Sequence, residues 1–101
     1  MRLIVQFGLD SPQAERIAAA HPEVELVAFT DGEPPSGLAA DAFFGGYLGW
    51  DRIRPWLDAA GVRRVQLTGT GADRVPPEVC AGRTVTCARG ASAVPISEWV
   101  L

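Results

Sequence analysis

Residues 53–69 read Ile53-Arg54-Pro55-Trp56-Leu57-Asp58-Ala59-Ala60-Gly61-Val62-Arg63-Arg64-Val65-Gln66-Leu67-Thr68-Gly69. Ile53, Trp56, Leu57 and Ala60 recur at i, i+3, i+4 and i+7, the spacing that gathers apolar groups on one stripe of a helix. Pro55 is tolerable only in the first turn of such a helix, because proline lacks the N–H that later positions donate. Gly61 stands where a helix closes in the left-handed conformation, which costs glycine little. Val65-Gln66-Leu67-Thr68 then reads as a short strand. A helix handed directly to a strand is the working unit of a parallel sheet.

Working outward, the alternation repeats. Leu3-Ile4-Val5-Gln6-Phe7 is an opening strand stopped by Gly8. Ser11-Pro12 reads as an N-cap with proline at the first helical position. Ala14, Ile17 and Ala18 share one face of the helix that follows, and His21-Pro22 ends it, since the residue before proline is pushed out of the α region. Val24, Leu26-Val27-Ala28 and Phe29 form a second strand. The run Thr30-Asp31-Gly32-Glu33-Pro34-Pro35-Ser36-Gly37 is a loop by composition. Ala42-Phe43-Phe44 is a third strand, cut short by Gly45-Gly46, and Thr84-Val85-Thr86-Cys87 is a fifth. Between Gly69 and Gly82, Pro76-Pro77 leaves room for one short helical turn. The order βαβ…βαβ…β predicts an α/β domain with a five-stranded parallel sheet and helices on both faces.

The chain has 101 residues, 48% of them apolar and 21% charged, with a net charge of -3. That is one domain, 1–101, with a composition close to an ordinary globular one. An acidic balance disfavours a nucleic-acid or anionic-membrane partner, either of which needs a basic face. All nine basic residues are Arg. No apolar run approaches the ~18 residues that span a bilayer, and Leu3-Ile4-Val5 is too short for the core of a signal peptide. Cys80 and Cys87 do not make a disulfide framework, so a reducing, cytoplasmic setting is expected. They also lack the spacing and histidine company of a metal site.

At the end of the sequence, Ser92 can cap a helix with Pro95 in its first turn and Ile96, Trp99, Val100 and Leu101 on one apolar face. Two readings stand: the helix folds back on the sheet, or it continues in a longer parent protein.

Two glycine turns follow strands. Gly69-Thr70-Gly71 lacks the third glycine of a dinucleotide fingerprint: position 74 is Arg, and Val75-Pro76-Pro77 blocks an immediate helix. What remains is a turn whose free N–H groups can form an anion-binding nest, or a tight turn and no more. Gly45-Gly46-Tyr47 allows close backbone approach by a ligand, or merely a sharp turn. In a parallel sheet both turns end on one edge and share a crevice. His21, the only histidine, has no implied carboxylate partner. Asp73-Arg74 reads as a local ion pair, and Trp50, Trp56 and Trp99 as core or interface groups. No nucleophile–base pair or carboxylate dyad is visible.

The segment Val65-Gln66-Leu67-Thr68-Gly69-Thr70-Gly71-Ala72-Asp73-Arg74, then Thr84-Val85-Thr86-Cys87-Ala88-Arg89-Gly90, then Ser92-Ala93-Val94-Pro95-Ile96-Ser97-Glu98-Trp99-Val100-Leu101, resembles the D-isomer-specific 2-hydroxyacid dehydrogenases. These share a hydrophobic strand with a G-x-G-[VA]-D turn, a V-x-V-x-N strand and an A-E helix start. The resemblance implies a flavodoxin-like substrate domain ending in an interdomain helix, with the nucleotide-binding domain absent from this chain. It implies substrate contacts at Thr70, Gly71, Gly46, Tyr47 and Ser92, with Ser92 standing where many members have asparagine. Catalytic and cofactor-binding residues are expected to be none in this chain, and no metal is expected. The parent enzyme would use NAD or NADP on a small 2-hydroxy or 2-keto acid, and the chain alone would be inactive. A homo-oligomer through the C-terminal apolar helix is expected. The alternative is a freestanding flavodoxin-like module that binds a small molecule, or dimerises, without catalysis.

Overall fold

The computed structural model describes residues 1–46, 49–69 and 74–88. The elements run β1 (Arg2–Val5), α1 (Pro12–Ala20), β2 (Glu25–Ala28), β3 (Ala42–Gly45), α2 (Trp50–Ala60), β4 (Arg64–Leu67), α3 (Pro77–Cys80) and β5 (Thr84–Thr86). All five strands pair parallel in the order β2-β1-β3-β4-β5. This is the α/β sheet that the alternating sequence predicts, and it is compatible with a flavodoxin-like fold. The helix expected over Ser92–Leu101 lies outside the described residues.

Local chemistry explains the helices. Ser11 caps α1 by accepting a hydrogen bond from the Ala14 amide at 3.2 Å, with Pro12 at the first helical position. Gly61 ends α2 with φ +69°, and the Val62 amide donates back to the Leu57 carbonyl at 3.0 Å. One expectation needs correction. α2 begins at Trp50, so Pro55 lies inside the helix rather than in its first turn. The early turn is held because the Arg52 and Ile53 amides both donate to the Gly49 carbonyl, at 2.8 and 2.9 Å, and because Trp50 packs against the core. Pro55 is exposed, so the carbonyl that its missing N–H leaves open faces water.

The strand register divides the side chains between two faces. Val27, Ile4, Phe43, Val65 and Val85 form one row across the sheet, and Ala28, Val5, Phe44, Gln66 and Thr86 form the row behind it. Ile53, Trp56, Leu57 and Ala60 of α2 and Val79 of α3 join Ile4, Phe43 and Val65 in one buried cluster. Chain direction places α1 on the other face. The step from β1 to β2 runs opposite to the step from β3 to β4, and right-handed crossovers then put the two helices on opposite sides.

No helix joins β2 to β3. Residues 29–41 instead lie against α2, where the Trp56 indole N–H donates to the Gly32 carbonyl at 3.0 Å and the Ala40 amide to the Ala60 carbonyl at 3.0 Å. Phe29 packs edge-on to Phe43 and tilted against Trp56. Each large side chain in this cluster contributes roughly 1.5–3 kcal/mol by leaving water.

Candidate functional site at the carboxyl edge of the sheet

The chain steps outward from β1 to β2 in one direction and from β3 to β4 and β5 in the other. In open parallel sheets, ligands sit beyond the carboxyl ends of the strands where the order reverses. Here that point lies between β1 and β3. Gln6 follows β1, and Gly45 and Gly46 close β3. The Gln6 amide donates to the Phe44 carbonyl at 3.0 Å, continuing the ladder. The Gln6 carboxamide oxygen accepts from the Gly46 amide at 2.7 Å.

Both glycines are demanded by this packing. A Cβ at Gly45 would fall 2.6 Å from the Gln6 Cβ and 2.6 Å from its Oε1. Gly46 has φ +97°, and a Cβ there would fall 2.8 Å from Leu67 Cδ2 and 3.0 Å from Trp50 Cζ2. The glycine pair therefore lets Gln6, Leu67 and Trp50 close on the backbone.

The two glycine turns do begin side by side. Thr68 donates to the Gly45 carbonyl from its backbone amide at 2.9 Å and from its hydroxyl at 3.4 Å. Gly69 follows directly, and its carbonyl accepts from the Ala88 amide at 2.8 Å. Gln66 and Thr86 pair across β4 and β5, the threonine hydroxyl lying 2.5 Å from Gln66 Oε1. Around Gly46 and Thr68 this edge offers neutral amides, carboxamides and hydroxyls, which suit binding through hydrogen bonds, while Asp31, Asp51 and Arg52 carry charge beside the start of α2. Of the expected substrate contacts, Gly46 stands at this carboxyl edge, directly after β3. Thr70, Gly71, Tyr47 and Ser92 lie outside the described residues, as do Asp73 and Trp99.

His21 is elsewhere. It caps the end of α1, just before β2, at the opposite, amino edge of the sheet. The expectation that it lacks a carboxylate neighbour is corrected: Glu23 Oε1 lies 3.4 Å from His21 Nδ1. Both side chains are largely exposed, and a contact two residues apart across the turn into β2 explains the pair. Clefts also open at the amino edge. One of about 520 Å³ lies beside Asp41, Gly61, Arg63 and Arg64, and one of about 420 Å³ beside Arg2, Glu23 and Glu25. Several of these charges already serve the fold: Arg2 pairs with Glu25 at 3.0 Å, and Asp41 accepts from the Arg2 amide at 2.8 Å. A cleft of about 470 Å³ beside Glu33, Pro34 and Pro55 and one of about 390 Å³ beside Phe29, Gly49 and Asp51 lie elsewhere, so cleft size chooses no edge and the candidate site rests on the strand order.

α3 has four residues and starts at Pro77, and the Val79 and Cys80 amides both turn back to the Pro76 carbonyl. Among the described residues, no three His, Cys, Asp or Glu side chains are grouped to hold a metal. None of the described helices is long and apolar enough to cross a membrane.

Sequence reading missed Gln6 as a site residue. Its signal was present: a carboxamide at the carboxyl end of the first strand, in an otherwise apolar run. Only the strand order reveals that this end faces Gly46. No family model, curated protein or solved structure matches this chain.

Proposed function

We propose that this chain is a small-molecule-binding domain, the substrate domain of an NAD(P)-dependent oxidoreductase acting on D-2-hydroxy acids or 2-keto acids. The observation that carries this reading is the adjacency of the Gly46 and Gly69 turns, tied by Thr68 to the Gly45 carbonyl at one carboxyl edge. Backbone amides at such an edge receive a carboxylate without a charged side chain. Thr70, Gly71, Tyr47 and Ser92 complete the proposed substrate contacts. The nicotinamide cofactor and the groups that move hydride and proton would belong to a partner domain, and the chain alone turns nothing over. A cytoplasmic location and self-association through the C-terminal apolar segment belong to the same proposal.

The test is amide-resolved NMR of the full 101-residue chain titrated with pyruvate, D-lactate, propionate and NAD. The Gly69 amide should shift with pyruvate and D-lactate, less with propionate, and not with NAD. A Gly69 amide unmoved by either 2-substituted acid overturns the reading.

A second reading is favoured by the position of His21 at the far edge, which withdraws the only histidine from acid–base work in the crevice. In that reading the chain is a freestanding module that binds a small molecule, or dimerises, without catalysis. Equal responses to propionate and D-lactate would support it.

A further inference from the structure

The Gly46 amide is a donor at the point where the strand order reverses, and its partner is a side chain rather than a neighbouring strand. We propose that this N–H is a binding position for one oxygen of a small carboxylate, and that the Gln6 carboxamide oxygen occupies it until a ligand arrives. The inference rests on the carboxylate-binding reading above and adds to it a residue that competes with the ligand.

Three observations support it. The Gln6 oxygen sits 2.7 Å from the Gly46 nitrogen, the distance at which a ligand oxygen would accept the same hydrogen. The absence of a Cβ at residues 45 and 46 is what lets the Gln6 side chain reach the Gly46 amide: a Cβ at 45 would strike Gln6, and one at 46 would strike Leu67 and Trp50. Both Gln6 and Gly46 are half-buried, so an incoming molecule can reach them.

The exchange is also reasonable energetically. An ionised oxygen is a stronger acceptor than a neutral amide oxygen. A carboxylate can therefore replace Gln6 at Gly46, while the neutral side chain does not repel it as a glutamate would. Gln6 acts as an internal competitor: it occupies the Gly46 N–H and sets a threshold that weak acceptors do not pass.

The experiment compares wild type, Gln6→Ala and Gln6→Glu by amide-resolved NMR during titration with sodium acetate and sodium pyruvate, against sodium chloride. Gln6→Ala should bind acetate at Gly46 about fivefold more tightly than wild type, the equivalent of one net hydrogen bond released from competition. Gln6→Glu keeps an acceptor on Gly46 and adds like charge, so its Gly46 signal should not respond. Equal or weaker binding in Gln6→Ala, or no response in any chain, overturns the proposal. If Gln6→Ala does not fold, the wild-type chain decides. Its Gln6 side-chain amide signals should move with the same midpoint as Gly46, and a Gly46 shift with Gln6 unmoved is fatal. The two proposals separate on different signals, because Gly69 reports the 2-hydroxy acid reading and Gly46 the competing side chain.

Discussion

Arg83 shows how much one side chain can organise in this molecule. Its Nε donates to the Val62 carbonyl at 2.8 Å, one terminal nitrogen to the Val79 carbonyl at 3.3 Å, and the other to Asp58 Oδ1 at 2.7 Å. It thus ties the end of α2, the loop into β4 and the end of α3 to the entrance of β5. The Arg83 side chain is 10% exposed, whereas Asp58 is 57% exposed, so the backbone bonds matter more than the ion pair. Arg83→Ala should lower stability by about 2 kcal/mol, because it strands carbonyls in a buried place. Asp58→Ala should cost less than about 1 kcal/mol. Urea unfolding of the two variants checks the order, and equal losses would contradict it. No residue pattern announces this role, because Arg83 looks like any surface arginine until three separate segments are seen to converge on it. The same holds for Gln6, whose partner Gly46 lies forty positions away in the chain.

α2 carries the lesson at the level of elements. Its apolar stripe was legible, since Ile53, Trp56, Leu57 and Ala60 are all buried as their spacing requires. Its closing glycine was legible too, because only a left-handed residue ends a helix that way. Its start was not. Proline argued for a beginning near Ile53, but packing of Trp50 against Phe43 extends the helix one turn upstream. Tertiary contact outweighs a single missing hydrogen bond here. The interior proline then has a measurable cost. Pro55→Ala restores a donor for the Asp51 carbonyl and removes a ring from an exposed position. The variant should unfold about 1 kcal/mol later, the helix gain being partly offset by a freer unfolded chain. The start of α2 supplies the opposite case. Gly49 has φ +87° and offers no side-chain cap, so Gly49→Ser should destabilise the fold by about 1 kcal/mol even though serine usually favours helix starts. A stabilising Gly49→Ser in thermal melts would show that this turn relaxes.

Across the whole molecule, the sheet's two faces share the work unequally, and neighbouring residues on β3 measure the difference. Phe43 is fully buried, ringed by Phe29 and Trp50, and belongs to the cluster joining α2, α3 and the β2–β3 loop. Phe44 points the other way, is half-buried and meets Phe7 edge-on at 5.8 Å. Hydrophobic periodicity announced a sheet with two covered faces. It did not announce which face carries the core, because Ala42-Phe43-Phe44 is apolar on both sides and only register and crossover hand assign each ring. Phe43→Ala empties the centre of the packed layer and should cost about 4 kcal/mol. Phe44→Ala removes a ring already part-exposed and should cost about 1 kcal/mol. A domain of this size has about 5–15 kcal/mol in hand. Phe43→Ala should therefore sit near the unfolding threshold at physiological temperature, while Phe44→Ala remains folded. Paired guanidinium titrations read both values. Equal losses would mean that the second face carries as much of the stability as the α2 face does.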